Sequence, residues 1–154
     1  MSGFNISSTQ VELAVVQFSD DAETVIGLSA DANAIHSAVN SLVQDKENTD
    51  TEKGFRQCKS VLDSQGRSGT AGKLVILLTD GHQNKGLPAK ITADALKAEN
   101  ATIFGIGVGK DVSEAYIDQW ISPPTSTHYF GVADFASLDK KIHDILKAAC
   151  PHPI

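Results

Sequence analysis

The chain has 154 residues, 41% of them hydrophobic and 21% charged, a balance that suits one globular domain and argues against disorder or fibrous repeats. With 13 Lys+Arg against 19 Asp+Glu its formal net charge is −6, a field that repels phosphate backbones and anionic lipid, so nucleic acid and membrane surfaces are poor partners. The longest apolar run, Leu74-Val75-Ile76-Leu77-Leu78, falls far below the roughly 20 residues of a membrane-spanning helix, and Met1 to Asn5 lacks the charged and apolar regions of a secretory leader.

Residues 1–10 read as a lead-in. Val11 to Phe18 is β-rich and almost continuously apolar, the pattern of a strand covered on both faces. After the turn chemistry of Ser19-Asp20-Asp21, Thr24 to Leu28 forms a short returning edge strand. Asp31 caps a helix whose apolar stripe is Ile35, Ala38, Val39 and Leu42. A second helix opens near Asp50 or Thr51, carries Phe55, Cys58, Val61 and Leu62 on one face, and is broken by Gly66 and Gly69. Lys73 to Thr79 is the strongest buried strand, closed by the turn Asp80-Gly81. Pro88 starts a helix through Ile91, Ala95 and Leu96 to about Asn100, and Ala101 to Val108 is another buried strand. Ser113 caps a short helix with Ile117, Trp120 and Ile121, which Pro123-Pro124 stops. Thr127 to Gly131 reads as the last strand. Asp134 then caps a final helix with Phe135, Leu138, Ile142, Ile145, Leu146 and Ala149 on its apolar side.

This order, β-β-α-α-β-α-β-α-β-α, predicts an α/β domain over residues 11–150. It is Rossmann-like and doubly wound, with a mainly parallel sheet, helices on both faces, one short antiparallel edge strand and a tail at 151–154. Such sheets place their ligands at the carboxyl ends of the strands. Asp80 stands at such an end, and Gly81 beside it lets a ligand approach the backbone. Thr49 and Thr51 precede the second helix, whose start faces the same edge if the crossovers are right-handed. A carboxylate with hydroxyls is a hard-oxygen set suited to Mg²⁺ or Mn²⁺; the same residues also serve as an ordinary turn and helix cap.

The segments VELAVVQFSDDA, ENTDTEKGF, KLVILLTDGHQNKG, ATIFGIGVG and HYFGVADFASL occur in this order over about residues 10 to 150. As an ordered set they resemble a von Willebrand factor type A domain. The resemblance implies a non-catalytic module of cell-adhesion or extracellular-matrix type that binds a protein ligand through a metal-ion-dependent adhesion site (MIDAS). It implies Thr49 as a direct metal ligand, Asp80 as a ligand through water, Thr51 in a supporting role at the helix start, and Gly81 and His82 beside the partner.

The family normally begins with a central strand ending in Asp-x-Ser-x-Ser and a helix, and neither is found in this sequence. The resemblance therefore implies an incomplete site, with Mg²⁺ or Mn²⁺ held weakly or not at all. The first strand is then truncated away, supplied by a partner or a second copy, or replaced by closure of its neighbours. In extracellular members a cysteine near Cys150 pairs with one before the first strand, so Cys150 resembles half of a bridge and points to a secreted or cell-surface parent. An intracellular scaffold that binds partners without metal is the alternative.

Other motifs are less directive. Gly105-Ile106-Gly107-Val108-Gly109-Lys110 fits neither phosphate-loop template and reads as close packing. His36, His82, His128, His143 and His152 form no zinc motif, and no Gly-x-Ser-x-Gly elbow supports an enzyme. Asn5-Ile6-Ser7 and Asn100-Ala101-Thr102 fit the N-glycosylation pattern, which has meaning in a secreted chain.

Overall fold

The computed structural model describes residues 5–43, 48–67, 69, 71–134, 136–138, 141, 144, 147 and 148. Its elements are β1 (Leu13–Phe18), β2 (Ala22–Ser29), α1 (Ala32–Asn40), α2 (Thr51–Gln65), β3 (Lys73–Thr79), α3 (Lys90–Ala98), β4 (Ala101–Val108), α4 (Glu114–Ile117), α5 (Thr125–His128) and β5 (Tyr129–Val132). The chain divides into two compact units, Met1–Ala71 with Gln83–Thr92, and Gly72–His82 with Ala93–Ile154.

In the first unit β1 and β2 pair antiparallel, as the polar turn between them predicts, with register shifts around Val15. The Asp31 carboxylate caps α1 by accepting from the amides of Asn33 and Ala34 at 2.9 and 3.1 Å. Leu42 does not belong to the apolar stripe: α1 ends at Asn40, where the Ser41 hydroxyl donates to the Ala38 carbonyl, and Leu42 is 40% exposed. Helix α2 is capped by Asp50 and ends at Gly66. It packs on both strands, and its buried Gly54 is what lets Phe18 approach, since a Cβ there would lie 2.9 Å from the ring. Ile35, Phe55 and Val61 are the buried apolar centre of this unit.

In the second unit β3, β4 and β5 form a parallel sheet with β4 central. Both predicted strand boundaries for β3 and β4 hold to the residue, because each is an apolar run ended by a turn residue. Strand β4 is buried on both faces except for the half-buried Thr102, and at Gly105 a Cβ would fall 2.4 Å from Ile117. Strand β3 is instead buried on one face, through Val75, Leu77 and Thr79, while Ile76 and Leu78 on the other are 39% and 42% exposed. Among the described residues β1 is laddered to β2 and β3 to β4, with no further strand on either. The α/β class is as expected, with the parallel and antiparallel ladders in separate sheets.

Three local expectations need correction. Ile91, assigned to the apolar face of α3, is 63% exposed; Ala93 and Leu96 are the buried positions. The helix starts at Lys90, its entry set by the Ile91 amide donating to the Pro88 carbonyl at 3.1 Å. Thr127 and His128 lie in α5 rather than in the last strand, because Pro124 opens a helical turn and its carbonyl accepts from the Thr127 amide at 3.1 Å. Trp120 and Ile121 lie beyond the helix that Ser113 caps, since α4 ends at Ile117, and both are buried in the core. Residues 136–138, 141, 144, 147 and 148 are helical. Asp134 caps this segment through the Ser137 amide at 2.7 Å, and bonding to Ser137 holds its carboxyl below the usual range. Leu138 packs on Ile106, Val108 and Val132. Phe135, Ile142, Ile145, Leu146, Ala149 and Cys150 lie outside the described residues.

Candidate functional site

The turn before α2 is built from Asn48, Thr49 and Asp50. The Asp50 amide donates to the Ser19 carbonyl at 2.8 Å, which ties the turn to the end of β1. Its carboxylate caps the helix by accepting from the Lys53 amide at 3.1 Å, a position where the helix dipole favours negative charge. Asp20 completes the anchorage, with its carboxylate 2.8 Å from the Asn48 side-chain nitrogen and 2.9 Å from the Lys85 ammonium. Ser19-Asp20-Asp21 is thus the turn that its composition predicts, closed by the Ser19 amide on the Asp21 carbonyl at 2.8 Å.

A strap of chain, Gln83 to Thr92, is stitched onto this helix start. Thr49 donates its amide to the Asn84 side-chain oxygen at 2.8 Å, and the Asn84 amide donates back to the Thr49 carbonyl at 3.1 Å. This bracket fixes the backbone of Thr49 on both sides of its side chain. Gly86, at φ +85, lies over Asp50 so closely that a Cβ would fall 2.3 Å from both carboxylate oxygens. Gln83 closes the strap on itself through the Lys85 and Leu87 carbonyls and the Ala89 amide. Farther along, the Thr92 hydroxyl donates at 2.8 Å to Glu52, whose buried carboxylate also pairs with Arg56.

Thr49 is half-buried, and among the described residues its hydroxyl has no hydrogen-bond partner. Thr51, the first helical residue, is 2% exposed, and its hydroxyl is buried without a partner. It therefore faces the interior behind the turn.

The second unit carries the other predicted residues. The Thr79 hydroxyl donates to the Gly81 carbonyl at 3.0 Å and accepts from its amide, so a side chain rather than a backbone ladder shapes the turn after β3. That turn leaves Asp80 exposed, with no hydrogen bond or ion pair among the described residues. Gly81 is half-buried. His82 is exposed and meets the Tyr116 ring edge-on at 4.0 Å, and Tyr116 in turn meets the buried Trp120 at 4.8 Å.

The Thr49 hydroxyl in the first unit and the Asp80 carboxylate in the second are each, in kind, an oxygen ligand suited to Mg²⁺ or Mn²⁺. The described residues contain no group of three or more His, Cys, Asp or Glu able to hold a metal. Sequence reasoning missed Asn84 and Gly86. The run Gly81-His82-Gln83-Asn84-Lys85-Gly86 reads as turn composition, and nothing in it reveals that Asn84 brackets a threonine 35 positions earlier.

Comparison with known proteins places this arrangement. The chain is 30% identical over 146 residues to the collagen α-1(XXI) chain of Homo sapiens, covering 94% of this chain and 15% of that one. It is likewise 30% identical over 156 residues to the collagen α-1(XII) chain of Notophthalmus viridescens, covering 96% of this chain and 16% of that one. The chain thus spans about a sixth of the length of these relatives. Its fold matches proximal thread matrix protein 1 of the mussel byssus with a zinc-occupied MIDAS motif, at a TM-score of 0.84 and 23% identity over 97% of this chain and 39% of that one. The model of the von Willebrand factor type A domain matches residues 1–145, and the chain belongs to that family.

Proposed function

We propose that this chain is a non-catalytic protein-binding module of the cell-adhesion or extracellular-matrix type, part of a secreted or cell-surface parent. Its ligand engages the edges that carry Thr49 and Asp80, with Gly81 and His82 beside it and Thr51 supporting from within. The observation that carries this reading is the unpartnered, exposed carboxylate of Asp80 at the end of a rigid strand, in a chain whose relatives include collagens. A polar group held out in this way is available to a ligand without breaking a bond of the fold.

The adhesion site is incomplete. Thr49 and Asp80 are each proposed as an oxygen ligand of Mg²⁺ or Mn²⁺, and a bound ion would supply positive charge to an acidic group of the ligand. With so few ligands to offset its dehydration, the ion binds weakly. The mussel neighbour's zinc-occupied MIDAS supports the metal chemistry as a property of related folds.

Among the described residues β3 is laddered to β4 alone, which supports a second feature, a strand supplied by a partner or by a second copy. An apolar strand with unpaired backbone groups is a template for further pairing, and Ile76 and Leu78 are exposed on it. Light scattering on the purified chain tests this, with a stable monodisperse monomer as the outcome that removes it.

The binding test uses immobilised chain and extracellular-matrix extracts separated into purified proteins, assayed in Mn²⁺ and in EDTA. Asp80→Ala and Thr49→Ala should each weaken capture at least severalfold in Mn²⁺. Binding that is indifferent to both substitutions sinks the assignment of the edge. Binding that depends on Asp80 but not on metal favours the metal-free scaffold.

A further inference from the structure

We propose that Asn100 is an N-glycan attachment site. Asn100-Ala101-Thr102 has the acceptor pattern, a side-chain amide followed two residues later by a hydroxyl. The structure adds what the pattern lacks. Asn100 is exposed, in the tight turn between α3 and β4, where its amide donates to the Lys97 carbonyl at 3.0 Å and its φ is +63. Asparagine tolerates this left-handed conformation better than other residues with a Cβ, so the turn is held by the backbone and the side chain is left over. Among the described residues neither the Asn100 carboxamide nor the Thr102 hydroxyl makes a hydrogen bond. At the other acceptor pattern, Asn5-Ile6-Ser7, the Ser7 hydroxyl instead accepts from the Gln10 amide at 3.1 Å and bonds the Thr9 hydroxyl.

The position also suits a bulky substituent. Ala101 pairs with Lys73, at the start of β3, whereas Asp80 follows its end. Seven residues of strand at about 3.3 Å each separate the two by roughly 20 Å. A glycan on Asn100 would project from the edge of the sheet opposite the binding edge and leave Asp80 uncovered.

The chemistry is a transfer from an oligosaccharide carried on a lipid pyrophosphate. The Asn100 amide nitrogen forms a bond to the anomeric carbon of the first sugar, and that carbon's bond to the pyrophosphate oxygen breaks. The lipid pyrophosphate leaves, and the nitrogen loses one proton. This reaction belongs to the secretory pathway, so in the native setting the inference rests on the extracellular reading.

The test is expression of the full chain behind a cleavable secretory leader in animal cells, with intact-mass analysis of lysate and medium before and after peptide N-glycosidase. The leader supplies entry to the pathway, so the result reports on Asn100 whether or not the parent protein is extracellular. One enzyme-sensitive glycan is expected on Asn100, with residue 100 converted to aspartate on release. Asn100→Gln should lose it and Asn5→Gln should keep it. Because Gln fits the left-handed turn poorly, Thr102→Val is the second variant; it keeps Asn100 and the strand, and should lose the glycan as well. A shift that survives Asn100→Gln overturns the proposal, as does an unmodified chain in cells that glycosylate a reporter carrying the same leader.

Discussion

Asp50 is 2% exposed, and a carboxylate in that position is tolerable because the helix start supplies a backbone donor and a favourable dipole. Gly86 depends on it in turn. Replacing Gly86 by alanine adds a Cβ that would lie 2.3 Å from both Asp50 oxygens, in a left-handed conformation that disfavours side chains. Gly86→Ala should therefore lose about 1–3 kcal/mol in urea unfolding; an unchanged midpoint would show that the strap is loose in solution. Cys58 yields a pH prediction. Burial pushes its thiol from the ordinary value of 9.0 up to about 11, so the neutral form is favoured in the folded state. The unfolded thiol ionises first as pH rises, and the associated stability, on the order of 3 kcal/mol, is present below about pH 9 and lost toward pH 11. Cys58→Ala should flatten that part of the stability profile relative to the parent chain. The caps Asp31 and Ser113 were legible in the sequence because a cap bonds within three residues of itself. Asn84 and Gly86 were not, since their partners lie some 35 positions away.

At the scale of elements, β3 and β4 were the easiest to read: runs of β-branched and large apolar residues ended by Asp80-Gly81 and Gly109 admit one interpretation. The end of α1 is harder to read, because periodicity continues on paper past Asn40, where the hydrogen-bond ladder stops, and takes in Leu42; Ile91 lies within the first turn of α3 but on its exposed side. Helix α2 shows what propensity leaves out. Alanine at an interior glycine ordinarily gains about 1 kcal/mol in a helix, yet a Cβ at Gly54 would press on Phe18 of β1. Gly54→Ala should lower stability by about 1 kcal/mol instead, and the loss should shrink in a Phe18→Leu background. A higher unfolding midpoint for Gly54→Ala alone would mean that Phe18 has room to move.

For the whole molecule, the net charge of −6 disfavours polyanions and agrees with the protein ligand proposed above. The family was legible because its motifs recur in a fixed order, whereas the metal binding proposed above depends on ligands that no local run announces. Thermal unfolding in EDTA, Mg²⁺ and Mn²⁺ addresses it, since a ligand bound to the native state raises the midpoint. A small, concentration-dependent rise in Mn²⁺ that Thr49→Ala abolishes is expected. Equal midpoints in all three conditions would show that the chain binds no metal under these conditions.

The bracket between Thr49 and Asn84 has a bearing on biosynthesis. A chain made from its amino terminus exposes the turn before α2 well before Asn84 exists. Until the strap arrives, Thr49 lacks both of the bonds that fix its backbone, while α2 already has its own cap and can form. The helix thus comes first and the edge that carries Thr49 last. A nascent or prematurely ended chain that stops short of the strap would carry the helix but not the ordered threonine, and on the function proposed above would not compete with finished molecules for ligand.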